Sequence, residues 1–128
     1  MGVGTLTTTG KNEALDALVS TNTTLYLALL DGGVEETGVG SGGTAYARKA
    51  ITWDAAASGA KSNSVAVVFD NGGATDWGSA LDEYGIYDAS TAGNKLATGA
   101  LDAVRDMSIV DATLTFAIGN VTMTLSDV

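Results

Sequence analysis

The sequence predicts a mainly β fold: a single-domain antiparallel β-sandwich of about seven or eight short strands, led by one short helix and a flexible N-terminal arm. Three features point to it. The 128 residues include 17 Gly and no Pro, whereas ordinary usage would supply about six prolines, so the turns must be built from Gly, Asn and Asp. These residues gather at Asp31-Gly-Gly, from Gly38 to Gly43, at Ser58-Gly59, Asn71-Gly72-Gly73, Ala92-Gly93-Asn94 and Gly119-Asn120. Most of the segments between them are short, rich in Val, Thr and aromatic residues, and partly alternating. Finally, the length suits one domain, and a hydrophobic content of 45% is enough for one core. No internal repeat, linker or charge block marks a second domain.

The elements follow in order. Residues 1–10 carry no charge and are rich in Gly and Thr; they predict an arm that is mobile, or ordered only against a partner by strand addition. Residues 11–128 form the domain, opening with a helix over Lys11 to Val19. Thr9 or Gly10 is its expected N-cap, Glu13 lies in its first turn, and Leu15, Leu18 and Val19 make an apolar stripe. Too short to stand alone, the helix must dock on the end of its own β-body or on a neighbouring subunit.

Strands are expected near Thr23–Leu30, Ala45–Trp53, Ser64–Asp70, Ala80–Tyr87, Lys95–Leu101, Met107–Val110, Ala112–Ile118 and Asn120–Leu125. Alternation is clearest over Thr24–Leu29, Ala112–Phe116 and Val121–Leu125, which predicts one face in the core and a Thr-bearing face in water. The nearly continuous run Val65-Ala66-Val67-Val68-Phe69 fits a strand buried on both faces or in the middle of a sandwich.

Composition removes whole classes of chemistry. With no Cys and no His, disulfides, thiolate metal sites, cysteine nucleophiles and imidazole bases are gone. Six basic against fifteen acidic residues leave a net charge of −9, which argues against direct binding to nucleic acid and favours solubility. No apolar run is long enough to read as a membrane span. The N-terminus lacks the basic and apolar regions of a secretory signal, and Leu6 breaks the myristoylation pattern that Gly2 would start.

Candidate chemistry is sparse. Asp82 and Glu83 are adjacent, so on a strand they face opposite ways and cannot pair as acid and base. Asp31, Glu35 and Glu36 flank glycines and could offer oxygens to a hard cation, but without the spacing of a calcium loop. Asn71-Gly72-Gly73-Ala74-Thr75-Asp76 is better explained as a tight turn than as a lone calcium repeat. Asp70, Asp76, Asp82, Glu83 and Asp88 form a stretch without a base: an edge for a basic partner or, more simply, a solvated face. The sequons at Asn22 and Asn120 carry no weight without a secretory signal. Trp53, Trp77, Tyr84 and Tyr87 could form a sugar-stacking platform, with core packing the simpler expectation. No catalytic, cofactor-binding or metal-ligating residues are assigned, and binding or assembly is the default.

The order of several segments is more telling than any one of them. Leu25-Tyr26-Leu27-Ala28-Leu29-Leu30, then Gly42 through Trp53, then Ser62-Asn63-Ser64 before Val65–Phe69, resembles small structural proteins of tailed bacteriophages. Trp77-Gly78, Tyr84 through Ala89, Gly93 through Leu96, Gly99-Ala100-Leu101 and Phe116 through Leu125 continue the likeness, which spans residues 11 to 126. Such proteins are commonly labelled tail fibre or minor virion proteins, and some are similar to capsid decoration or cement proteins. The resemblance implies a non-enzymatic virion protein, made in the host cytoplasm and sited on the outer surface of the particle.

Because no repeat-bearing shaft is present, the expected role is a decoration protein that holds the head shell. It would bind the major capsid protein or another virion protein, as a homo-oligomer such as a trimer. Val3, Leu6, Leu15, Leu18 and Val19 are the candidate contact residues. The alternatives are a small tail fibre or tail-tip subunit touching the host, and a calcium- or carbohydrate-binding lectin-like module using Trp53, Trp77 and the Asp31/Glu35/Glu36 region.

Overall fold

A computed structural model describes residues 4–22 and 24–126. Helix α1 (Thr8–Asn22) precedes nine strands: β1 (Leu25–Asp31), β2 (Val34–Glu35), β3 (Lys49–Ile51), β4 (Ala60–Ser62), β5 (Val67–Asp70), β6 (Leu81–Tyr87), β7 (Lys95–Arg105), β8 (Thr113–Phe116) and β9 (Thr122–Thr124). Every pairing is antiparallel. The expected class, mainly β with one N-terminal helix, is what the chain adopts.

Strand β1 is the spine of a five-stranded sheet. On one side it pairs with β6, which pairs with β7; on the other, β3 covers its beginning and β2 its end. The gap between those two short partners is closed by a side chain. The Leu29 N–H donates to the Tyr46 hydroxyl at 3.1 Å, and that hydroxyl donates to Glu35 Oε2 at 2.9 Å. Two ribbons, β4–β9 and β5–β8, complete the β-structure. Leu25, Leu27, Leu29, Tyr84 and Ile86 from the sheet join Val67, Phe69, Leu114, Phe116, Val121 and Met123 from and beside the ribbons in one core. Aromatic edges lock it: Phe69 meets Phe116 at 6.1 Å, and Tyr84 meets Phe116 at 5.7 Å, both edge to face.

The helix is longer than its apolar stripe predicted, and its start differs. Thr7 is the cap, its Oγ1 accepting the Gly10 N–H at 3.1 Å while its carbonyl accepts the first helical bond from Lys11. Thr9 and Gly10 therefore lie inside the first turn, Glu13 lies beyond it, and residues 8–10 of the expected arm are helical. Three successive threonines offer the same capping chemistry, and composition alone cannot choose among them.

The strand expectations also need correction. Met107–Val110 is a loop, because the buried Asn71 amide donates to the Met107 and Ile109 carbonyls at 2.9 and 2.7 Å and takes them from any ladder. Of Ala45–Trp53 only Lys49–Ile51 is strand, with one further bridge at Trp53. Strands β2 and β4 come from turn-like sequence and exist through their partners. Strand β7 continues to Arg105 through a register break opposite Asp82. The Asn71-Gly72-Gly73 segment is the expected tight turn, closed by Ala74 N–H to Asn71 O, with both glycines at positive φ.

Burial reverses two expectations. The run Val65–Phe69 is one-sided, with Val67 and Phe69 in the core and Val65 and Val68 exposed by 54% and 47%. Alternation over Thr24–Leu29 promised one wet face, yet Ala28 and Leu30 are as inaccessible as Leu27 and Leu29. Ala28 lies opposite Gly85, and a Cβ on Gly85 would sit 2.9 Å from the Tyr87 ring and 3.3 Å from Leu30. Small residues thus let Tyr87 and Leu30 fold over the sheet, forming a second apolar layer.

Candidate contact surface

The helical residues expected to meet a partner are used within the chain. Leu15 is 3% exposed and belongs to the core, and Leu18 and Val19 are partly buried against it. Polar groups on the same face seal the joint: Asn12 Oδ1 accepts the Gly59 N–H at 2.8 Å, and Asp16 Oδ1 accepts the Ala56 N–H at 2.9 Å and the Lys61 ammonium at 2.5 Å. Asn12, Leu15, Asp16 and Val19 share one face by helical spacing, and that face lies on the β-body. Within the single chain Leu15 is thus committed to the core, and Leu18 and Val19 are partly so. Leu6 is 53% exposed, and Val3 lies outside the described residues.

The acidic side chains hold loops. Glu35 takes a two-pronged ion pair from Arg48, Nε to Oε2 and Nη2 to Oε1, both at 2.8 Å. Arg48 Nη1 also donates to the Ala89 and Ala92 carbonyls, and the guanidinium lies 3.7 Å from the Tyr87 ring centre. The Arg48 hydrogen bond, with help from Tyr46, holds the Glu35 carboxyl below its usual range, and burial pushes the Tyr46 hydroxyl far above its own. Glu36, buried, accepts from the Thr37, Gly38 and Gly78 amides. These two carboxylates are committed to a guanidinium and to backbone, so the cation site weighed for this region does not assemble, and no metal-binding group occurs among the described residues.

Four of the five acids in the base-free stretch follow the same rule. Asp70 accepts from Gly72, Asp76 from Val39, Gly40 and Ser41, Asp82 from Gly32, and Asp88 from Asn94. Asp76 ties the 38–45 loop to the 71–76 loop, and Asn71 ties the latter to the 107–110 loop. One end of the molecule is thereby a rigid platform of three stapled loops, from which Val39, Ile109 and Val110 stand 81%, 60% and 57% exposed. A second set of exposed apolar residues, Val65, Val68 and Ile118, lies on the β5–β8 ribbon and its ends. Neither set was foreseen: single aliphatics beside glycines carry no periodic signal.

The aromatic platform does not assemble either. Trp77 and Tyr84 are core residues, Trp77 Nε1 donates to the Thr44 carbonyl at 2.9 Å, and Tyr87 is covered by Arg48. A different hollow is present, a groove of about 330 Å³ lined by Tyr84, Ala100, Leu101, Asp102, Arg105, Leu114, Thr115, Phe116 and Asn120. Arg105 Nη2 donates to Asp102 Oδ1 at 2.7 Å and holds that carboxyl below its usual range. The groove exists because β7 breaks register between its pairings at Ala100 and Arg105, a detail that no alternation pattern announces.

This antiparallel β-body, with apolar residues displayed on loops and with carboxylates such as Glu36, Asp76 and Asp82 engaged as loop staples, is that of a small tailed-phage structural protein, the class to which its family-model match assigns it. The family model described as podophage GP4 fiber I protein gp80 matches residues 5–124, and the chain belongs to this family. Comparison with curated proteins gave no match.

Proposed function

We propose that the chain is a fibre subunit on the outer surface of a tailed-phage particle, acting by assembly and surface contact rather than by catalysis. The observation that carries this is the match of nearly the whole chain to a fibre protein's family. The structure supports it in two ways. Several ionic groups sit in pairs and staples that fix loops, and exposed aliphatics on the stapled loops (Val39, Ile109, Val110) and on the β5–β8 ribbon (Val65, Val68, Ile118) offer surface that a neighbouring virion protein or a second copy can bury. The net charge of −9 suits an outward, solvated position away from packaged nucleic acid.

A decoration protein on the head shell is the competing role, and its support has weakened. It relied on the helix stripe as a clamp, and Leu15, Leu18 and Val19 are turned inward. Gold-labelled antibody against the chain, viewed on intact particles by electron microscopy, separates the two. Label on the tail or its fibres is expected; label distributed over the head would overturn the fibre assignment.

A further inference from the structure

We propose that the groove between β7 and β8 binds a neutral saccharide through Asp102, Arg105, Thr115 and Asn120. The proposal rests on the fibre assignment for its biological setting, a sugar displayed on the host surface, and on the groove alone for its chemistry.

In the hollow lined by Glu35, Glu36, Tyr46 and Arg48 the charged side chains are committed to one another and to backbone. Both oxygens of Glu35, Glu36 and Asp76 accept hydrogen bonds, and Asn63 and Asn71 use their whole amides on backbone. The groove is different. Asp102 and Arg105 share one bond with each other, their side chains are 81% and 43% exposed, and Arg105 Nε is shielded with no acceptor. Among the described residues, no hydrogen bond engages the Asn120 side-chain amide or the Thr115 hydroxyl. A guanidinium and an amide to donate, with a carboxylate, a hydroxyl and an amide oxygen to accept, therefore converge with capacity to spare.

Chemistry selects the ligand class. Leu101, Leu114 and the rings of Tyr84 and Phe116 line the same hollow, so it has apolar floor beneath polar rim. A pyranose matches this, with an apolar C–H face and a ring of hydroxyls that each donate and accept. Adjacent hydroxyls can accept from Arg105 while donating to Asp102, which a simple anion cannot do. An anion would also face the Asp102 carboxylate and the chain's net charge of −9. A hollow of about 330 Å³ is at the small end for ligand sites, sized for one or two sugar rings.

Isotope-labelled protein titrated with D-glucose, D-galactose, D-mannose and N-acetyl-D-glucosamine, and in parallel with D-glucuronate and inorganic phosphate, tests this by amide chemical shifts. At least one neutral sugar should move the amides of Ala100–Asp102, Thr115 and Asn120 in a saturable way. In D102N and R105Q, neither of them at a core residue, the midpoint should rise about tenfold or more, as the loss of a charge-assisted bond requires. Silence with all four neutral sugars, a response to glucuronate or phosphate alone, or titrations unchanged in both variants would each overturn the proposal. Because the isolated chain is used, the result stands apart from the particle labelling: head label would remove the fibre assignment without touching a measured sugar site.

Discussion

Replacing Asn63 tests how this protein holds its ribbons together. Asn63 is fully buried, and its side chain makes four bonds to backbone. Nδ2 donates to the Val65 and Ala117 carbonyls at 2.8 and 3.1 Å, and Oδ1 accepts the Gly119 and Val121 amides at 3.0 and 2.9 Å. An amide has two donors and room for two acceptor bonds, so its capacity is filled. The side chain fastens the turn before β5 to the turn before β9. N63A removes all four bonds and strands the Val121 amide in the interior. The Gly119 N–H keeps the Asn63 backbone carbonyl as partner, so three bonds at about 1 kcal/mol net each, plus about 1–3 kcal/mol for the orphaned Val121 amide, give an expected loss of about 4–6 kcal/mol.

N63D sharpens the test. Its carboxylate keeps an acceptor for the two amides but sets a negative oxygen against the two carbonyls, so its folded pKa is raised. A raised pKa means that stability is retained below the unfolded value of about 3.9 and lost as pH rises through the folded one. Urea unfolding at several pH values should show N63A destabilised to a similar degree throughout, and N63D losing more ground at neutral pH than at acid pH. A loss under about 1 kcal/mol for N63A, or no pH dependence for N63D, would refute the reasoning.

Three further outcomes are expected. In G99A the new Cβ would lie 2.3 Å from the Tyr84 ring, which sits directly across the strand pair from Gly99; thermal melts should show a cost of about 1–3 kcal/mol, and unchanged stability would mean that the ring is free to move. L15A should cost about 2–4 kcal/mol in the isolated chain, because Leu15 is 3% exposed in the core, and a near-zero effect would return that residue to the pool of partner contacts. The Glu35 carboxyl is held low by Arg48, so its contribution is present above the unfolded range near about 4.3 and is lost as pH falls through the depressed folded value. Urea midpoints measured from neutral to strongly acid pH should therefore fall less steeply below about pH 4 in E35Q than in the parent chain, and identical acid limbs would contradict the ion pair's role.

Local chemistry was legible where one residue decides the conformation. The tight turn at Asn71-Gly72-Gly73 and the alternation of Thr113–Phe116, with Leu114 and Phe116 inward, follow from glycine's tolerance of positive φ and the two-residue period of a strand. The family likeness was legible too, because order and spacing along the chain survive where single motifs are weak.

What the sequence determined, then, was the class: turns made by glycine, an acidic surface, an antiparallel β-body and a helix that must dock. Tertiary structure decided the rest. One wet face or none, for β1 and β5, depended on what covers the outer face, as Tyr87 does for β1 by reaching across Gly85 in the neighbouring strand. The fate of the carboxylates depended on which loop amides came within hydrogen-bonding distance, many of them tens of residues away, and Asp76 meets Val39 across 37 positions. The groove at Asp102 and Arg105 arose from a slipped register. Periodicity describes one strand against an assumed surface; burial and unspent hydrogen-bonding capacity are properties of pairs of segments, and only the folded chain brings those pairs together.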